Sequence, residues 1–333
     1  MSKNVDNLKE KLDAHFKKSK NSIMEIGIRF GDEFIRNSWG NKENKKYFGL
    51  GSISKTIIST YVCEMIKKGK IDLNKTIDCY LSLNKNRNYP SILSLLTHTS
   101  GYHAFIPFNR AVWVMLTNGF NKKNIYTNVD SEWLIQSVNK KRPFRKKKYR
   151  YTDYNYALLA LIIETIEGKP YKEVIVRYLQ AEIGMKDTYY ASTETTLNDS
   201  ASWIWHDNNP FLASGGMFST VEDMILFLDY QITHHKELQL SHAKYHKLNT
   251  NKHIFTGFSW NSFYNGQFFW HIGGQGHYRS YALFDVKKNI SVIVLATVDI
   301  NFQHVNRLGS SLYRNVKRNK SKLFEYLESM DDF

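Results

Sequence analysis

The sequence predicts an α/β (α+β) fold in which one antiparallel sheet, drawn from both ends of the chain and flanked by helices, carries a mainly helical lobe inserted in its middle. Three observations lead there. Ser22–Ser38 alternates loosely about Gly31-Asp32, as a two-strand hairpin does. The middle of the chain holds long apolar stretches with helical spacing. Beyond Phe255, short apolar and aromatic runs are separated by Asn-Gly, Gly-Gln-Gly and Lys-Lys-Asn turns, the texture of an antiparallel meander.

In chain order, Met1–Ser22 reads as a charged amphipathic helix, with Leu8, Leu12 and Phe16 set against many Lys, Glu and Asp. After the hairpin, Ile53–Lys68 is helical: Ile57, Ile58, Tyr61, Val62, Met65 and Ile66 share one broad face, and Gly69 is a stop. A second helix, Tyr154–Glu167, turns Leu158, Leu161, Ile162, Thr165 and Ile166 inward and ends at Gly168 and Pro170. Ser219-Thr220-Val221-Glu222 has the form of a capping box opening a third helix through Gln231. Strands are expected at Phe255–Trp260, Gln267–Ile272, Arg279–Asp285 and Ile290–Ala296, followed by a helix from about Phe302 to Leu327. No internal repeat and no Pro/Ser-rich linker interrupts this order.

The chain has 333 residues, 42% hydrophobic and 14% aromatic, enough for one large domain or two lobes sharing a cleft and too apolar for extended disorder. Met1–Ser22 lacks the apolar core of a secretory signal. Nowhere do roughly 18 apolar residues run together. Ser2 follows Met1, so no lipidation signature is visible, and a soluble, cytoplasmic protein without membrane contact is expected. The two cysteines, Cys63 and Cys79, lack the spacing of a disulfide framework or a zinc site, and Cys63 suits a small buried hydrophobe. The formal charge is +15, and its densest run is Lys140-Lys141-Arg142-Pro143-Phe144-Arg145-Lys146-Lys147-Lys148-Tyr149-Arg150. Such a run is either a solvated loop or an anion-binding edge.

The chemistry begins with Ser52-Ile53-Ser54-Lys55. This SxxK pattern sets a serine at a helix start with a lysine one turn later on the same face. Lysine serves as a base when desolvation or nearby cations lower its affinity for the proton. The pattern also occurs at Ser82, Ser137 and Ser241, but only Ser52 follows a hairpin and a glycine and opens a long apolar helix. Tyr151-Thr152-Asp153 precedes the second apolar helix, and a tyrosine near a lysine can act as a phenolate base or a proton shuttle. Tyr126-Thr127-Asn128 is a literal YxN but has no such helix after it. His271-Ile272-Gly273-Gly274 ends an aromatic strand, where small residues let backbone N–H groups reach a substrate carbonyl.

Together these segments resemble the serine beta-lactamase-like family of the class C type, which includes penicillin-binding peptidases, D-amino-acid peptidases and esterases. Phe48–Thr56 resembles its nucleophile segment, Leu95–Gly101 its LLTHTSG signature and Tyr151–Leu159 its YSNxxYxLL helix start. Gly184–Thr188 resembles its GMxDT, Gly215–Asp223 its GGxxSTxxD and His271–Gly276 its HGGxG motif. The likeness implies an α/β fold with a sheet lobe from about 1–46 and 205–333 and an inserted helical lobe, 47–204. It implies Ser52 as nucleophile, Lys55 as its activating partner and Tyr151 as base or shuttle. The amides of Ser52 and Gly274 form the oxyanion hole, and Asp153, His271 and Gly273 bind substrate. No cofactor and no metal is needed.

Two departures bear on substrate. His271 stands where beta-lactamases usually carry lysine, and Asp153 stands where the family most often has Asn. These weigh toward a peptidase or esterase that cleaves an ester or amide of a small-molecule or peptide substrate through an acyl-enzyme on Ser52. A D-residue peptide or a small acyl ester is favoured, and an anionic substrate if the basic run borders the cleft. The alternatives are a beta-lactamase or penicillin-binding activity, an acylatable sensor without turnover, or a polyanion binder using Lys140–Arg150. Nucleic acid is the weakest of the candidate partners. His98 and Ser100 are expected to shape a loop, His277 to lie at the surface, and Trp113, Met115 and Phe120 to wall a cleft or pack a core.

Overall fold

The computed structural model describes residues 22–40, 46–85, 87–102, 124–126, 129–140, 148–249, 253–263, 266, 268–297 and 302–328. The amphipathic helix expected at the N-terminus, Trp113, Met115, Phe120 and residues 141–147 of the basic run lie outside these.

The first hairpin forms as the alternation predicts: β1 (Ile23–Phe30) pairs antiparallel with β2 (Glu33–Trp39) about Gly31-Asp32. Three short strands then tie the helical part of the chain to the nucleophile segment. β3 (Phe48–Gly49), β4 (Tyr189–Tyr190) and β5 (Met217–Ser219) make a small sheet in the order β3-β5-β4, which the sequence pattern did not signal because strands of two or three residues carry no periodicity.

The chain returns through β6 (His246–Asn249), β7 (Ile254–Thr256), β8 (Asn261–Phe263), β9 (Phe268–Gln275), β10 (Tyr278–Asp285) and β11 (Ile290–Thr297). With the first hairpin they complete an eight-stranded sheet in the order β2-β1-β11-β10-β9-β8-β7-β6. The last three follow the sequence reading closely. The strand expected at Phe255–Trp260 instead stops at Thr256, because the chain turns there: Gly257 N–H bonds to the Trp260 carbonyl at 2.7 Å, and Phe258 and Trp260 drop into the core.

Period-two alternation divides the sheet between two cores. On β11, Ile290, Val292, Val294 and Ala296 face a cluster completed by Leu312, Val316 and Leu323 of the C-terminal helix Phe302–Glu328, whose backbone breaks at Asn319. Ile293 and Leu295 face the other way, toward helices Ser54–Lys67, Tyr154–Glu167 and Val221–Thr233. Thr220, not Ser219, caps the last of these: its hydroxyl accepts the Asp223 N–H at 3.2 Å. Ile57, Ile58 and Val62 are fully buried, so each anchors the nucleophile helix by roughly 1.5–3 kcal/mol. Cys63 is buried, Cys79 exposed, and both are free thiols. Among the described residues no helix is long and apolar enough to cross a membrane.

Candidate active site

Ser52 sits in a tight 3-10 turn, Gly51–Ile53, between β3 and the helix that begins at Ser54. The turn is fastened on two sides: Leu50 N–H bonds to the Met217 carbonyl at 2.8 Å, and Ser280 Oγ on β10 donates to the Leu50 carbonyl at 2.7 Å. Its backbone is also pressed against the end of β9. Gly51 has φ +52°, and a Cβ there would stand 2.1 Å from the Gly274 amide nitrogen. A Cβ on Gly273 would stand 2.0 Å from the Leu50 oxygen. No side chain fits either place, so the glycines bring the Ser52 turn and Gly274 side by side. Gly273 thus packs its backbone against Leu50 and Ser280.

Lys55 extends from the first turn of the helix and is completely buried. Its Nζ lies 2.9 Å from Ser52 Oγ, 2.6 Å from the Ser214 carbonyl oxygen and 2.5 Å from Asp153 Oδ1. Three acceptors match the three N–H bonds of an ammonium. Lys55 Nζ is thus held within hydrogen-bond reach of the nucleophile by two further acceptors, the Ser214 carbonyl and Asp153. Asp153 pairs with the lysine through Oδ1.

Tyr151 Oη lies 2.7 Å from Ser52 Oγ, and the Lys55 ammonium lies 5.0 Å from the Tyr151 ring centre. The ring leaves 40% of the residue's surface to solvent, while the hydroxyl is turned inward onto Ser52. Burial of that end, and then the Asp153 carboxylate, push the phenol well above its usual range; the Ser52 hydrogen bond opposes them. Of the two roles expected from sequence, phenolate base and proton shuttle, a raised phenol suits the shuttle. The ammonium that would have favoured a phenolate is already paired with Asp153.

Tyr126, the tyrosine of the literal YxN, does not reach Ser52. It is buried, stacked on Phe211 with ring centres 4.2 Å apart, and its hydroxyl donates to Asp153 Oδ2. Asp153 thus accepts from Lys55 through one oxygen and from Tyr126 through the other, and among the described residues it is Asp153 that links the Tyr126 hydroxyl to the site. His98 is also structural, as expected. Its Nδ1 accepts the Thr152 N–H at 3.2 Å, its ring lies 4.6 Å from that of Tyr151, and burial holds it well below the usual imidazole range. Ser100 Oγ donates to Asn155 Oδ1 at 2.6 Å.

His271 is buried on the face of β9 shared with Gly273 and Gln275. Burial, then the Lys55 charge, push its imidazole down to about 3, so it is neutral at physiological pH; the Ile272 backbone and Asp153 act in the opposite sense. Its Nδ1 has no hydrogen-bond partner among the described residues. The rival serines are elsewhere: Ser82 is exposed, Ser137 lies on helix Ser131–Lys140, and Ser241 is buried with an unpartnered hydroxyl. His277 is half-buried at the β9–β10 turn. Lys148 and Arg150, the exposed end of the basic run, lead directly into Tyr151. A cleft of about 740 Å³ bordered by Tyr89, Ser94, Thr99 and His246 does not include Ser52.

Sequence reasoning missed the Ser214 carbonyl and the Tyr126–Asp153 link. A backbone oxygen has no residue-type signature. The Tyr126 link joins positions 27 apart, and no spacing rule pairs them.

The family model described as Beta-lactamase matches residues 29–308. A Bacillus subtilis (strain 168) protein named for penicillin binding, PbpX, is 26% identical over 191 residues, 53% of this chain and 45% of its own. The D-alanyl-D-alanine-carboxypeptidase/endopeptidase AmpH of Escherichia coli (strain K12) is 21% identical over 197 residues, 55% of this chain and 48% of its own. The chain thus spans about half the length of these relatives. Among solved structures, a class C beta lactamase from Rhodobacter sphaeroides superposes with a TM-score of 0.75 at 14% identity, covering 94% of this chain and 99% of that one. The octameric penicillin-binding protein homologue from Pyrococcus abyssi gives a TM-score of 0.74 at 18% identity, covering 93% and 77%. At such identities the structural likeness establishes the shared fold.

Proposed function

Because the chain belongs to the Beta-lactamase family, we propose that it is a serine hydrolase that cleaves an ester or amide through an acyl-enzyme on Ser52. One observation carries the reading: the Lys55 ammonium and the Tyr151 hydroxyl converge on Ser52 Oγ at 2.9 and 2.7 Å. A serine hydroxyl attacks a carbonyl only as its proton is taken, and a neutral phenol both accepts and donates. As Ser52 Oγ bonds to the carbonyl carbon, its proton moves to Tyr151 Oη in concert with the phenol's own proton moving to the leaving oxygen or nitrogen. Tyr151 thus never holds two protons, and the bond to the leaving group breaks as its proton arrives. Lys55 stabilises negative charge building on Oγ and on the phenol. The amides of Ser52 and Gly274 receive the carbonyl oxygen. Water then enters by the same route in reverse: it loses a proton through Tyr151 to Oγ and releases the acid.

A peptidase or esterase fits better than a beta-lactamase, since the imidazole of His271 is uncharged where a beta-lactam carboxylate would need a cation. A relative named as a D-alanyl-D-alanine-carboxypeptidase/endopeptidase favours a peptide containing a D-residue among the amides.

Covalent labelling tests the reading. A fluorophosphonate or activated ester should attach to Ser52, and Ser52→Ala should abolish both labelling and turnover. Mass mapping of the adduct to Ser54, Ser82, Ser137 or Ser241 would overturn the assignment.

A further inference from the structure

Three features of the site concern charge rather than proton transfer. The ammonium beside Ser52 is matched by a carboxylate at 2.5 Å, so the Lys55–Asp153 pair carries no net charge. Tyr126 anchors that carboxylate through its second oxygen. His271, on the strand that borders the nucleophile, is a neutral imidazole with a buried, unpartnered nitrogen.

A carboxylate beside the scissile carbonyl would lose its hydration on entering and gain no unpaired cation from these groups. It would also approach the Asp153 carboxylate, and like charges in a partly desolvated site repel strongly. The exposed Lys148 and Arg150 attract anions from a distance, but solvent and salt screen them over roughly 8–10 Å. A neutral polar group carries no charge to desolvate and meets no such repulsion.

Resting on the serine-hydrolase reading, the geometry points to selection by charge: the Lys55–Asp153 pair and His271 favour acyl donors with no carboxylate beside the scissile bond. The substrate class is then an ester or an internal amide, not a C-terminal residue bearing its free carboxylate. Asp153 is the specificity-determining residue, and Tyr126 holds it in place.

The test uses two thioesters with the same acyl group, differing only in a mercaptoacetate leaving group or its primary amide. The wild-type chain should turn over the amide with a kcat/KM at least tenfold higher. Asp153→Asn, which keeps the shape and removes the charge, should narrow that ratio to within about threefold, mainly by lowering KM for the mercaptoacetate ester. Equal kcat/KM values in the wild type, a preference for the carboxylate, or a ratio unmoved in a folded Asp153→Asn variant each reject the proposal. The wild-type ratio decides the matter even if the variant does not fold. Fluorophosphonate labelling of Ser52 in the same preparation separates the two failures. Labelling with equal rates rejects charge selection alone, whereas no labelling and no turnover of either ester rejects the acyl-enzyme and the proposal with it.

Discussion

A side chain on Gly51 would collide with the backbone of Gly274: its Cβ would lie 2.1 Å from that amide nitrogen and 2.7 Å from the Cα. The contact joins the nucleophile turn to the strand that completes the proposed oxyanion hole. Since the obstacle is backbone, only a shift of the turn or of β9 would admit a methyl group. Gly51→Ala should therefore lower kcat by roughly 10²–10³, the effect of losing one oxyanion-hole donor. Gly69 is the control. Its φ is similarly positive, +67°, but nothing lies within 4 Å of its Cβ position. Gly69→Ala should cost about 1–2 kcal/mol of backbone strain and leave kcat near wild type. Urea unfolding and ester hydrolysis of both variants check the pair, and equal kcat losses would detach Gly51 from the oxyanion hole.

Tyr151 and Tyr126 are separated by what they touch. Tyr151 reaches Ser52 Oγ directly, while Tyr126 reaches only Asp153. Tyr151→Phe should lower kcat by roughly 10²–10⁴, the span for losing a positioned acid–base group, with little change in Tm. Tyr126→Phe leaves one oxygen of a charged acceptor unpaired. Its main effect should be on stability, about 1.5–3 kcal/mol, with a loss in kcat of roughly tenfold or less. A reversed ranking of the two kcat values would overturn the assignment of the proton shuttle.

His271 makes a claim about acid stability. Its imidazole is pushed down to about 3 in the folded protein and titrates near 6.5 when unfolded. Between those values the unfolded chain binds a proton that the native protein does not. The contribution is complete above pH 6.5 and is lost as pH falls, until the native imidazole itself is protonated near 3. Going from pH 7 to 5.5 should cost about 1 kcal/mol from this residue, and His98 and His242, shifted in the same direction by burial, add with the same sign. Urea unfolding at the two pH values should give a smaller drop for His271→Gln than for wild type. Identical drops would remove His271 from the acid response.

The proximity of Ser52 and Lys55 was legible in the sequence because both stand at the start of one apolar helix, whereas that of Tyr151, three residues ahead of helix Tyr154–Glu167, was implied by the family resemblance. The hairpin about Gly31-Asp32 and the strands ending at Asp285 and Thr297 were legible through alternation and turn residues. The protonation states were not. An SxxK spacing says that a lysine nears a serine, but whether that lysine is base or ammonium depends on Asp153, 98 residues away, and on the Ser214 carbonyl. The burial of Tyr126 was not legible for the same reason: Phe211 and Trp205, which stack on its ring, come from much later in the chain.

Lys55 and Asp153 allow structure and chemistry to be separated. Removing one member of a buried ion pair leaves the other charge without a partner, which costs about 3–5 kcal/mol when both are fully buried. Lys55 is fully buried, but the Asp153 side chain keeps 25% of its surface exposed, so Lys55→Met should cost about 3 kcal/mol or somewhat less. Adding Asp153→Asn removes the orphaned charge, and the double variant should recover most of the lost stability. It should not recover activity, because no ammonium then faces Ser52 Oγ. The double-mutant cycle in urea measures the coupling, and ester hydrolysis measures the chemistry. Additive stability losses would mean that the pair contributes nothing as a pair. Near-normal turnover by Lys55→Met would remove the lysine from acyl transfer and leave Tyr151 to activate Ser52 alone.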